Sequence, residues 1–159
     1  MQPSQRLAEL GITLPPVATP AGSYVPALRV GDLIYTSGQV AFLDGQLPAT
    51  GRLTEDPDHQ PTIETAAYCA RLCALNALAA AADTAGGIDN IARVVKLTVF
   101  VASSKQFTAQ PKVANGASDA LIEIFGDAGR HARSAVGMAA LPLNSPVEVE
   151  MIVQVNPGA

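Results

Sequence analysis

The sequence predicts an α+β fold, a mixed β-sheet with two helices on one face. Three observations point there. Segments that alternate in steps of two and segments with helical spacing succeed one another in the order ββ(β)αβαββ. No internal repeat, low-complexity tract or interior linker interrupts that order. Several strands carry apolar residues on both faces, and the chain has no third long helix to cover the second one.

Taken from the N-terminus, Ser4 is placed to cap a short helix running to Leu10, which Gly11 would end. The stretch LPPVATPAGS is too dense in Pro and Gly for a helix or a central strand. Residues 1–22 therefore read as an N-terminal extension with a short helix, and residues 23–159 as one domain. VPALRV (Val25–Val30) and LIYTSGQVAF (Leu33–Phe42) read as two strands about a tight Gly31-Asp32 turn. Leu43–Pro61 is polar and turn-rich, a loop with one short strand near Gln46.

From Thr62 the period changes. TIETAAYCARLCALNALAAAADTAGG contains no Pro, has Thr62 as N-cap and Glu64 in its first turn, and stops at Gly86-Gly87. Ile63, Ala66, Ala67, Ala70, Cys73, Ala77 and Ala81 repeat at helical spacing and give a face of mostly small residues. Asn90–Ser103 is β-branched and alternates at Val95, Leu97, Val99 and Val101, which predicts a strand. The second helix is weakened early by Pro111 and Gly116 and is clear from Ala117 to Phe125. HARSAVGMAAL and VEVEMIVQV complete the sheet, joined by a short PLNSP loop.

Composition excludes several classes of function. At 159 residues with 48% apolar and 15% charged, the chain can bury a core and is expected to form a single domain. Aromatics are 4% and Trp is absent, so that core is built from small side chains. Small side chains bury less area, at roughly 25 cal/mol per Å², and burial between subunits would add to it. A net charge of −4 argues against a dedicated nucleic-acid binder, whose affinity rests on neutralising phosphates. No membrane span of 18 or more apolar residues and no signal peptide is read, so a cytoplasmic location is expected.

Metal and nucleophile chemistry find little support. Cys69 and Cys73 share a helix face, but no locally spaced His or Cys completes a zinc set, and small residues packing on a sheet explain them. His59 sits in a loop without a nearby partner. TSGQV (Thr36–Val40) lacks the G-x-S-x-G pattern of a nucleophile elbow. No phosphate-binding glycine loop occurs, so no cofactor is expected.

Two strands remain. In GRHARSAVG, Arg133, Ala135, Gly137 and Ala139 would line one face, so Arg133 stands beside small neighbours with open space in front of it. A guanidinium so placed can fork onto a carboxylate through two parallel hydrogen bonds. The plain alternative is a solvated surface arginine, which suits Arg130 better than Arg133. In VEVEMIVQV the valines and Met151 share one face, and Glu148 and Glu150 point the other way. Under an oligomer such a carboxylate would be partly desolvated and could act as an acid–base group or position a water. Both glutamates could equally face solvent.

These segments resemble the RidA/YjgF family, also called the endoribonuclease L-PSP or translation-inhibitor family. The resemblance runs from about Tyr24 to Val155: Y-V-P-A at Tyr24, the strand ending TSGQV, KLTVFV, Asn115, and above all ARSAVGMAALPLNSPVEVEM. It implies a chorismate-mutase-like fold and a homotrimer whose sheets form a central barrel, with clefts between subunits. It also implies cofactor-free hydrolysis of reactive enamines and imines, such as 2-aminoacrylate, to 2-oxo acids and ammonia. By matching position, Arg133 would bind the substrate carboxylate and Glu148 would hold or activate the water. Tyr24, Ser37, Gly38 and Asn115 would line the cleft, with Tyr24 facing the neighbouring subunit's copy of the arginine site. Active members often carry Cys two residues after the arginine, where this chain has Ala135. A non-catalytic carboxylate-binding protein is the alternative reading. Ribonuclease activity fits the acidic balance poorly.

Overall fold

The computed structural model describes residues 1–159. Its elements are α1 (Pro3–Leu10), β1 (Ala27–Val30), β2 (Leu33–Thr36), β3 (Gln39–Val40), α2 (Ile63–Ala85), β4 (Ile91–Ala102), α3 (Gln110–Phe125), β5 (Ala132–Met138) and β6 (Val147–Val155). One sheet runs in the order β1-β2-β6-β4-β5, and β3 also pairs with β6. Only the β4–β5 pairing is parallel, joined through α3; the others are antiparallel, so the sheet is mixed as expected.

The α2 helix forms where its local chemistry says it should. The Thr62 hydroxyl accepts from the Thr65 amide at 3.2 Å, and Gly86 closes the helix at φ 77. Its small residues Ala66, Ala70, Cys73, Ala77 and Ala81 are fully buried. They meet the inward side chains of β4 and β6: Val94, Leu97, Val99, Val101, Val147, Val149, Met151 and Val153. This helix is long and apolar enough to cross a membrane, but 78% of its apolar window is buried inside the protein, as in a core helix.

Four features differ from the sequence reading. α1 begins at Pro3, capped by Gln2 and Gln5; Ser4 lies inside it and donates its hydroxyl to Asp89 at 2.6 Å. The second strand breaks at Ser37-Gly38 into β2, which pairs with β1 and β6, and β3, which pairs with β6 alone. Near Gln46 there is a lone bridge to Leu43 rather than a strand. The start of α3 also moves, to Gln110. Pro111 sits in the first turn, where its missing N–H is harmless, and Gly116 packs so close to the Ala67 backbone that a Cβ would not fit. A residue that weakens the helix in isolation is what lets α3 dock on α2.

The second sheet face carries exposed apolar side chains at both edges of the single chain's sheet, with Glu148, Glu150, Lys96 and Thr98 between them. Leu28, Val30 and Tyr35 are 58, 59 and 43% exposed at one edge, and Val136 and Met138 are exposed on β5 at the other. Tyr35 pairs with Ile152, and Val136 with Phe100, which places these side chains opposite the helices.

Candidate functional site

The strand registers assign each predicted residue to a face. Arg133 and Ala135 lie beside Leu97 and Val99, whose side chains are buried under the helices. Both therefore project toward α3. There Asn115 and Ser118, one turn apart on the same helix face, meet the guanidinium: Arg133 Nη1 donates to Asn115 Oδ1 at 2.9 Å and to Ser118 Oγ at 3.0 Å. Both protons of Nη1 are used, and the Nε–Nη2 edge keeps two parallel N–H groups for a ligand. Ala135 packs against the core edge, and a Cβ on Gly137 would fall 2.7 Å from Ser103 Oγ, so the face beside the arginine holds only small groups. Arg130, by contrast, is an exposed residue paired with Asp127 at 3.1 Å.

Glu148 lies opposite Phe100 and Val40 in the ladder, on the face away from the helices. It is half-buried and takes no hydrogen bond from the protein. Burial first, and then the Glu150 charge, push its carboxyl above the ordinary 4.5. Gly38 lies so close that any Cβ there would occupy the carboxylate's position. Tyr24, Gly38 and Glu148 together line a cavity of about 240 Å³, walled on its other sides by Ala18–Ala21, Phe42 and Leu143. Three larger hollows, about 490, 520 and 570 Å³, contain none of the predicted site residues.

Ser37 is placed differently from its neighbours. Its hydroxyl donates to the Val25 carbonyl at 2.6 Å and so pins the segment that carries Tyr24, whose own hydroxyl accepts from the Ala21 amide at 3.3 Å. Within one chain, then, Arg133, Asn115 and Ala135 form one group, and Tyr24, Gly38 and Glu148 form another on the opposite face. Strand β4 runs between them. Both cysteines are buried among the helix and sheet; burial raises Cys69 to about 11, so it stays a thiol at neutral pH.

The chain matches over residues 4–155 the family described as "YjgF/chorismate_mutase-like, putative endoribonuclease". It belongs to the YjgF family. Protein TCP17 of Trypanosoma cruzi is 43% identical over 151 residues, covering 94% of this chain and 92% of that protein. The mitochondrial protein MMF1 of Saccharomyces cerevisiae is 30% identical, covering 88% and 83%. A 2-iminobutanoate/2-iminopropanoate deaminase of Dermatophagoides farinae is 28% identical, covering 91% and 95%. The crystal structure of Atu1372 from Agrobacterium tumefaciens, a protein of unknown function, superposes with a TM-score of 0.85 at 42% identity, covering 97% and 92%. The YjgF match includes most of the N-terminal 22 residues, and these wall the Glu148 cavity at Ala18–Ala21.

Sequence reasoning missed Ser118 and those wall residues. Ser118 had a signal: it lies three positions after Asn115, and so on the same helix face. The wall had none, because it is brought there by chain path alone.

Proposed function

We propose that the chain hydrolyses imines and enamines of small 2-amino acids to 2-oxo acids and ammonia, without a cofactor, in clefts between copies of itself. The observation that carries this is the tethered guanidinium of Arg133, whose free Nε–Nη2 edge suits a carboxylate. Because Glu148 lies on the other sheet face, the Arg133 of one copy would serve the Glu148 of the next. The exposed apolar side chains of the second sheet face support such assembly, since burying each large one is worth about 1.5–3 kcal/mol. A homotrimer is the closed arrangement this reading takes.

The chemistry balances with few groups. Glu148 takes a proton as a water oxygen bonds to the imine carbon. It gives that proton to the imine nitrogen, then carries the carbinolamine's hydroxyl proton to the same nitrogen as the C–N bond breaks, leaving the 2-oxo acid and ammonia. A carboxyl with a raised pKa is suited to holding and releasing the proton. Arg133 fixes the substrate's carboxylate, so orientation supplies much of the acceleration. The deaminase relative supports the reaction class. A relative named mitochondrial leaves the cytoplasmic expectation as a proposal to be tested by localising the tagged protein.

Enzymatically generated 2-iminopropanoate and 2-iminobutanoate test it. The protein should accelerate release of pyruvate and 2-oxobutanoate, and Arg133→Ala should not. Binding of pyruvate with no acceleration of any imine would instead favour the carboxylate-binding reading, which the missing thiol at Ala135 motivates.

A further inference from the structure

His131 stands just before β5, half-buried, and the established family features give it no task. Its Nδ1 lies 2.6 Å from the Gly129 carbonyl oxygen, which can only accept, so Nδ1 carries a proton. Its Nε2 lies 3.0 Å from Ser118 Oγ. The same Oγ is 3.0 Å from Arg133 Nη1, which can only donate. A hydroxyl has one proton; with its oxygen receiving Arg133, Ser118 gives that proton to Nε2. The donors therefore run in one direction, Arg133 to Ser118 to His131, while Nδ1 is anchored on Gly129.

We propose that His131 is a positioning residue for Arg133: neutral and anchored, it turns the Ser118 oxygen toward the guanidinium and so holds the free Nε–Nη2 edge in place. This rests on the reading of Arg133 as the carboxylate site. Protonation of Nε2 would undo the arrangement, because two cationic donors would then compete for one hydroxyl oxygen. The surroundings oppose that protonation. β4 presents Arg93; Arg130, paired with exposed Asp127, adjoins the ring; Arg133 is two residues on; and α3 offers only the neutral Ser118 and Ile122. Burial, and then the Arg133 charge, hold the imidazole below its ordinary 6.5. A carboxylate on Arg133 offsets that charge, so ligand binding should raise the His131 midpoint.

Long-range proton–nitrogen NMR of the full-length protein reads this directly, since the chain has only two histidines and His131→Gln assigns them. At pH 7 the His131 ring should be neutral with its proton on Nδ1, and its midpoint should rise in Arg133→Ala and on addition of pyruvate. A proton on Nε2, or a midpoint indifferent to Arg133→Ala, would overturn the proposal. That arm needs no turnover, so it stands even if Arg133→Ala binds pyruvate as wild type does and the carboxylate reading falls. With the natural reading intact, Ser118→Ala and His131→Ala should each raise KM about fivefold with kcat nearly unchanged, the size of one lost hydrogen bond. His131→Gln, whose amide oxygen can still accept from Ser118, should recover part of that loss and remove the fall in 1/KM that protonation of His131 brings at low pH. An unchanged KM in both Ser118→Ala and His131→Ala would also count against it.

Discussion

Around Arg133 the polar groups are tied to one another: Asn115 and Ser118 hold the guanidinium, and His131 holds Ser118. The Glu148 carboxylate takes no hydrogen bond from the protein; it is half-buried, faces a cavity of about 240 Å³ and has Gly38 against it. The contrast follows from what each group must do. A guanidinium keeps its charge at any working pH, so fixed neighbours cost it nothing and give it direction. A carboxylate that must exchange a proton is better left without donors, because donors favour its ionised form and lower its pKa. In the proposed reaction one half serves binding and the other proton transfer.

Substitutions should separate the two halves, the largest effect coming first. Arg133→Ala removes two charge-assisted hydrogen bonds to substrate, worth roughly 1.5–3 kcal/mol each, and should lower kcat/KM on the order of 10²–10⁴-fold. Steady-state assays with coupled 2-oxo acid detection would check it, and Arg133→Lys should recover only a fraction. Glu148→Gln should lower kcat about 10²-fold or more while pyruvate binding persists, since it removes a proton carrier and not the anchor. A parallel loss of binding would show that the two halves are not separate.

Glu148→Gln also has a stability signature. The folded carboxyl has a raised pKa, so it binds its proton more tightly folded than unfolded. That contribution is complete below about 4.5 and is lost as pH rises through the raised value. Urea melts across pH 4–8 should show this decline in the wild type and its absence in Glu148→Gln. Gly38→Ala comes next: its methyl group would take the carboxylate's place, so kcat should fall by about tenfold through displacement of Glu148. Thr62→Ala lies outside both halves and should cost about 1 kcal/mol in unfolding melts, with kcat and KM unchanged.

How far these features could be read from sequence depends on the range of the interactions. The α2 helix was legible end to end because Thr62, Glu64 and Gly86 act within a turn of where they stand. The alternation that sets Glu148 apart from Val147 and Val149 was legible for the same reason. The early start of α3 was not, since Gly116 is justified only by Ala67 of another helix. Nor was the break at Ser37-Gly38, where Gly38 meets Glu148 of a distant strand. Arg133 and Glu148 were each legible as chemistry. That they occupy opposite faces depends on strand order, and the tie from Arg133 to Ser118 spans 15 residues.

With the two halves on opposite faces, the proposed cleft draws Arg133 and Glu148 from different copies. Arg133→Ala and Glu148→Gln subunits, each inactive alone, can be unfolded together, refolded as a mixture and assayed for imine hydrolysis. Random assembly should restore roughly a quarter of the wild-type clefts, those that take both intact residues from different partners. Mixed oligomers that form yet stay as inactive as their parents would contradict a site shared between copies.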